Sequence, residues 1–262
     1  MVDLGTIRAP LFVPANRPER FAKAAASGAD AVILDLEDAV PADAKATARD
    51  ALDCGFTGLP VIVRINAAGT PWHADDLAAV ARLRVAAVML PKSEDPADLA
   101  RVSAAVGKPL IALVETGRGL TNARALAAAP GVVRIAFGSV DYCADLGCAH
   151  LREVLLPARS ELVLAARLAG IAAPIDGVTT RLDDPAVTHD DAAHARALGM
   201  TGKLCIHPAQ IAQVKRAFAP GEAEIDWARR VLASGDGAVS VDGAMVDEPV
   251  RIRARAILAQ AE

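Results

Sequence analysis

Leu110-Ile111-Ala112-Leu113-Val114-Glu115-Thr116 and Val133-Arg134-Ile135-Ala136-Phe137-Gly138-Ser139-Val140-Asp141 decide how this chain is to be read. Each is a short apolar run followed closely by one carboxylate. Apolar runs of about 4–8 residues read as strands buried on both faces. A charge just after such a strand falls at its C-terminal rim, where βα barrels build their active sites. Glu115 and Asp141 therefore predict two oxygen ligands on neighbouring rims. No Cys/His cluster accompanies them, so they point to a hard divalent cation such as Mg²⁺. The alternative at each position is a carboxylate that favours the start of the following helix.

Outward from this pair, the same pattern recurs. Candidate strands are Leu11–Pro14, Ala31–Leu36, Val61–Ile65, Ala87–Leu90, Leu110–Val114, Val133–Phe137, Ala173–Asp176 and Leu204–Ile206. Amphipathic segments lie between them, at Arg17–Ala26, Ala42–Leu52, Asp75–Ala81, Pro96–Val106, Thr121–Ala128, Leu156–Ala169, Asp190–Leu198 and Pro208–Ala217. Strand–helix alternation implies parallel pairing, and eight units predict an α/β fold, a TIM (β/α)₈ barrel over residues 1–220. An open doubly wound sheet is the fallback. Residues 221–262 lie outside the barrel count. They read as a helix at Asp226–Ala233, a short strand at Ala238–Val241, an Asp-Gly turn within Val241–Met245 and a last helix at Pro249–Ala261. This extension either packs on its own barrel or reaches a neighbouring subunit.

Composition bounds the function. Hydrophobic residues make up 53% of the 262 and aromatics only 3%, so Ala, Val and Leu must fill the core. The net charge of −4 is spread without a polybasic face, which argues against nucleic acid or a membrane surface as partner. The four cysteines form no C-x-x-C pair, as expected of free thiols in a reducing cytoplasm. Residues 1–10 lack a signal-peptide pattern, and no apolar stretch is long enough to span a membrane. G-x-S-x-G, P-loop and G-x-G-x-x-G motifs are absent, which removes the common nucleophilic and dinucleotide chemistries.

The remaining rims collect Asn16 and Arg17, Asp35-Leu36-Glu37-Asp38, Arg64 and Asn66, Lys92, Asp176 and His207. Arg64 ends an apolar run, where a guanidinium is costly unless it meets an anion. A substrate carboxylate or an enolate oxygen would serve, as would an internal ion pair with Glu37 or Asp38. Glu37 and Asp38 repel each other unless a cation, a proton or bound water separates them. Holding metal-bound water satisfies that, and helix capping or a surface role for Asp38 is the alternative. Asn16, Arg17 and Lys92 are candidate contacts to phosphates or a thioester carrier, with surface solvation as the bland reading. His207 could act as an acid or base, but a lone histidine is more often structural.

Together these segments resemble the citrate lyase β-subunit-like group of the HpcH/HpaI aldolase superfamily. The resemblance runs from Leu11–Arg20 through Ala31–Val40, Val63–Asn66, Leu90–Lys92, Val114–Thr116, Phe137–Asp141, Asp145–Gly147 and Ile206–Gln210 to Asp242–Asp247. It implies a barrel of the phosphoenolpyruvate/pyruvate type that uses Mg²⁺. It also implies cleavage or formation of a carbon–carbon bond between an acyl-CoA thioester and a 2-oxo acid, such as that of citramalyl-, malyl- or citryl-CoA. By the same resemblance Glu115 and Asp141 would be metal ligands and Glu115 would also meet substrate. Arg64 would bind the oxo acid, and Glu37 and Asp38 would hold metal-bound water. Asp247 would act from a neighbouring subunit in a homotrimer or larger oligomer. Where many relatives read Gly-Ala-Glu-Asp, this chain has Gly138-Ser139-Val140-Asp141, keeping the aspartate and replacing the glutamate. An aldolase acting on a free hydroxy-oxo acid, a subunit of a citrate lyase complex and a non-catalytic metal-binding barrel are the competing expectations.

Overall fold

Continuous apolar runs form strands buried on both faces, and eight of them pair in parallel in the order in which they occur. The computed structural model describes residues 2–235 and 237–261. The barrel strands are β1 (Pro10–Pro14), β2 (Ala31–Asp35), β3 (Val61–Arg64), β4 (Ala87–Leu90), β5 (Leu110–Val114), β6 (Val132–Phe137), β7 (Ala172–Asp176) and β8 (Gly202–Lys203). A bridge from Leu11 to Cys205 closes the ring between β8 and β1, and Phe12 N–H donates to the Cys205 carbonyl at 2.9 Å. The helices are α1 (Phe21–Ala25), α2 (Lys45–Asp50), α3 (His73–Arg82), α4 (Pro96–Val106), α5 (Gly117–Thr121), α6 (Ala123–Ala127), α7 (Ser139–Leu146), α8 (Arg152–Ala169), α9 (Pro185–Ala197) and α10 (Ile211–Phe218). The fold is the expected (β/α)₈ barrel.

Alternation decides which strand residues enter the lumen. Ile33, Ile62, Met89, Ile111, Leu113, Ala136, Ile175 and Leu204 belong to one buried cluster with Leu4 and Ile7. Two steps on from Ile33, Ile62 and Leu113 come Asp35, Arg64 and Glu115, so these three side chains share the inner face. Arg134 lies two steps before Ala136 and is wholly buried. Its guanidinium donates to the Leu4, Ile7 and Ala173 carbonyls at 2.6, 2.8 and 2.8 Å and to Thr201 Oγ1 at 2.9 Å. The N-terminal segment is thereby drawn across the end of the barrel opposite the carboxylates.

Three expectations for the barrel need correction. Strand β8 lies at Gly202–Lys203, not at Leu204–Ile206. A Cβ at Gly202 would stand 2.8 Å from the Ile7 carbonyl, so only glycine allows that approach. Lys203 is buried there because its Nζ donates to Asp176 Oδ2 at 2.9 Å and to the Gly177 carbonyl at 2.6 Å. Asp176 follows Ile175 and so faces the helices, where Arg159 of α8 also holds it at 2.8 Å. Asp176 is therefore part of a buried structural ion cluster outside the lumen. Helix α7 was not among the expected helices, and Asp141 belongs to its first turn rather than to the end of β6.

Chain packing separates Met1–Lys215 from Arg216–Glu262 as two compact units. The second contains α11 (Glu222–Ala233), the hairpin strands β9 (Val239–Val241) and β10 (Ala244–Val246), and α12 (Glu248–Ala261). Ala228, Val231, Val246, Ala254 and Ile257 form its core. The turn is shorter than expected. Asp242 and Gly243 take φ of 51° and 78°, the signature of a type I′ hairpin, and Ala244 and Met245 already belong to β10. Among the described residues, no helix is long and apolar enough to cross a membrane, and Cys54, Cys143, Cys148 and Cys205 are free thiols.

Candidate active site

Asp35 and Arg64 end adjacent strands in register. Arg64 Nε and Nη2 donate to the two Asp35 oxygens at 2.6 and 2.7 Å, a fork-to-fork pair, and the guanidinium lies 4.8 Å from the Phe12 ring centroid. Asp35 also accepts the main-chain N–H groups of Glu37 and Ala39 at 2.9 and 3.0 Å, which shapes the loop after β2. With its fork taken, Arg64 turns Nη1 toward Glu37 Oε2 at 3.0 Å, an ion pair whose geometry falls short of a hydrogen bond. Asp38 is 3.9 Å from the same Nη1 and largely exposed. Lys45 Nζ fastens the loop by donating to the Leu36 and Glu37 carbonyls at 2.8 and 2.7 Å. Replacing Asp35 with asparagine strands a buried guanidinium and is expected to cost about 3 kcal/mol of stability, measurable by urea unfolding.

Glu115 is almost fully buried. Its Oε1 accepts the Lys92 main-chain N–H at 2.7 Å, and its Oε2 has no partner among the described residues. Burial first, and the neighbouring Glu37 charge second, push the Glu115 carboxyl up to about 8, and Asp141 adds to the rise. Burial also raises Glu37 against the opposing charges of Arg64 and Lys92. Lys92 Nζ donates to Glu37 Oε1 at 2.7 Å. Glu37 Oε2 and Asn16 Oδ1 are two further buried oxygens without hydrogen-bond partners. The rim thus gathers buried oxygens of Glu115, Glu37 and Asn16 that lack hydrogen-bond partners, the state a hard cation relieves.

Not every expected residue belongs to this cluster. Arg17 is exposed and donates to Glu19 Oε1 at 2.6 Å. Asn66 is turned to Asp76, its Nδ2 donating at 2.6 Å, and Arg49 completes that buried link at 2.8 Å. His207 caps a short 3-10 turn, its Nδ1 accepting from Ala209 N–H at 3.2 Å. Val140, at the position where the resemblance implies a glutamate, is an uncharged side chain turned to solvent with 42% exposure. Asp247 lies in the second unit, where Oδ1 accepts from Val250 N–H at 3.4 Å at the start of α12. Asp35 and Lys45 are central here, yet sequence reasoning assigned them no role. Two-residue alternation from Ile33 would have pointed Asp35 inward, whereas no local signal ties Lys45 to carbonyls eight and nine residues earlier.

A family model, HpcH/HpaI aldolase/citrate lyase, matches residues 8–208. The chain belongs to this family. The family member is 43% identical to a citrate lyase subunit beta-like protein of Deinococcus radiodurans, with 96% of each chain covered. It is 34% identical to a (3S)-malyl-CoA thioesterase of Cereibacter sphaeroides, over 97% of this chain and 94% of the relative. Its structure superimposes with a TM-score of 0.89 on CitE from Mycobacterium tuberculosis in complex with magnesium, acetoacetate and coenzyme A. The two are 40% identical, and the match covers 98% of this chain and 99% of the other.

Proposed function

We propose that this family member is a Mg²⁺-dependent carbon–carbon lyase. It would cleave a 3-hydroxy-3-carboxyacyl-CoA, of the citramalyl-, malyl- or citryl-CoA kind, to a 2-oxo acid and an acyl-CoA. The observation that carries the reading is the buried, unpartnered Oε2 of Glu115 amid other acceptor oxygens. The donor set fits the ion: oxygens alone, on Glu115 and Asp141. Among the described residues no group of three or more His, Cys, Asp or Glu could hold a metal. That is in keeping with an ion that takes one or two carboxylates and completes its shell with water and substrate oxygens. When bound, Mg²⁺ would polarise the substrate oxygens and lower the pKa of the hydroxyl.

The chain's residues supply the rest. Glu37 and Asp38 orient water beside the ion. Arg64, immobilised by Asp35, offers its remaining positive edge to the oxo-acid oxygens, where charge grows as the bond breaks. Loss of the hydroxyl proton to a base then yields the 2-oxo acid and a thioester enolate. Asp247, contributed by a second copy of the chain in a trimer, would exchange a proton with the enolate carbon. Asn16, Arg17 and Lys92 are the candidate contacts for the CoA carrier.

The resemblance to a (3S)-malyl-CoA thioesterase favours one second reading, hydrolysis of the thioester. Incubating the protein with a panel of hydroxyacyl-CoA thioesters, with Mg²⁺ or with chelator, separates the two. Lyase chemistry releases a 2-oxo acid and an acyl-CoA with no free thiol. Hydrolysis releases free CoA thiol and leaves the carbon skeleton whole. Either activity should vanish on metal removal, and turnover that persists in chelator would sink the proposal.

A further inference from the structure

Among the described residues, only Lys92 and Asp242 combine a side chain with a positive φ. Asp242 does so in a hairpin turn whose type demands it. Lys92 has no such reason, yet takes φ of 46° just after β4. L-residues avoid this region, and such strain persists only where surrounding contacts hold it. Two contacts hold it here. The main-chain N–H donates to Glu115 Oε1 at 2.7 Å. The ammonium donates to Glu37 Oε1 at 2.7 Å and stands 3.9 Å from Glu115 Oε1. One residue thus grips both buried carboxylates, one through its backbone and one through its side chain. With Oε1 engaged, Glu115 is left with Oε2 unpartnered. The Lys92 side chain is 43% exposed, so the ammonium has a way out to water while the backbone contact stays.

We propose that Lys92 is a positioning residue with two separable roles. Its main chain orients Glu115 for a divalent cation, and its ammonium is a resident counter-ion that the arriving cation displaces. The inference rests on the Mg²⁺ reading above. An ammonium and a divalent ion a few ångströms apart repel, so both cannot neutralise the same carboxylates without cost. In the cation-free rim the lysine head balances Glu37, to which it donates at 2.7 Å, and stands beside Glu115. It gives way when a stronger cation arrives, and then faces the anionic ligand that follows.

The test measures Mg²⁺ binding by titration calorimetry and melting temperature in chelator, on the full chain. The proteins are wild type, Lys92→Met, Lys92→Val and Glu115→Ala, with Lys92→Gln as a second neutral variant should methionine fold poorly. Lys92→Met should bind Mg²⁺ about fivefold more tightly and melt lower in chelator, because a competing charge is gone. Lys92→Val also loses the charge but, being β-branched, resists the positive φ that aims the N–H, so it should bind more weakly than Lys92→Met. Affinity of Lys92→Met equal to or below wild type overturns the counter-ion role. Equal affinity of the valine and methionine variants overturns the orienting role. Wild type and Glu115→Ala binding alike would overturn the metal reading and this inference together. If Glu115→Ala alone loses binding and Lys92→Met is unchanged, only this inference falls.

Discussion

Replacing Glu115 with alanine is expected to lower Mg²⁺-dependent turnover by roughly a thousandfold or more while the barrel stays folded. The side chain lies at the lumen's rim and supplies no strand pairing, so its loss removes a burdened buried acid and one main-chain contact in the loop after β4, and leaves the strands intact. A pH signature accompanies the loss. Burial and Glu37 raise the carboxyl from 4.5 to about 8. Between those values the cation-free folded protein keeps a proton that the unfolded chain releases. This contribution to stability is complete below about 4.5 and is lost as pH rises toward 8. Melting curves in chelator across that window should slope downward for wild type and flatten for Glu115→Ala. Cation affinity runs the other way, weakening on acidification below about 8 as protons compete for the same oxygens. Full activity in Glu115→Ala would remove it from the metal site.

Gly138→Ala is expected to cost about a hundredfold in turnover, through a methyl group that never touches substrate. A Cβ at Gly138 would collide with Glu115 Cβ and Oε2, far inside van der Waals contact. Its φ and ψ of −87° and 70° suit other residues, so contact, not backbone freedom, requires glycine here. Alanine must push the carboxylate out of position or push β6 from β5, at about 1–3 kcal/mol of stability for an overpacked site. Calorimetry should show Mg²⁺ affinity falling in parallel with turnover. Unchanged affinity alongside lost turnover would mean that the glycine serves the substrate and not Glu115.

Strands β1 to β7 were legible because a parallel barrel buries its strands, and short apolar runs survive in sequence. Strand β8 was not. Gly202-Lys203 is buried by partners far along the chain, Asp176 and the Ile7–Arg8 backbone, and no local pattern records that. The site shows the same division. Glu115, Arg64 and Glu37 announced themselves as charges interrupting apolar runs. Asp35 did so only weakly, since a strand without polar alternation hides which way its last residue points. Lys92 was legible as a rim cation, but its engagement of Glu37 and Glu115 depends on a backbone angle that residue type argues against. Helix α7 was obscured because Asp141 reads equally well as the end of a strand or the first turn of a helix.

Arg134 gives the barrel a property no rim residue could. With its guanidinium tied to carbonyls of the N-terminal segment and of β7, it stoppers one end. Between that plug and the rim the lumen is packed solid with Ile33, Ile62, Met89, Ile111 and their neighbours, so Asp35, Arg64 and Glu115 stand on a closed floor and are approached from one side alone.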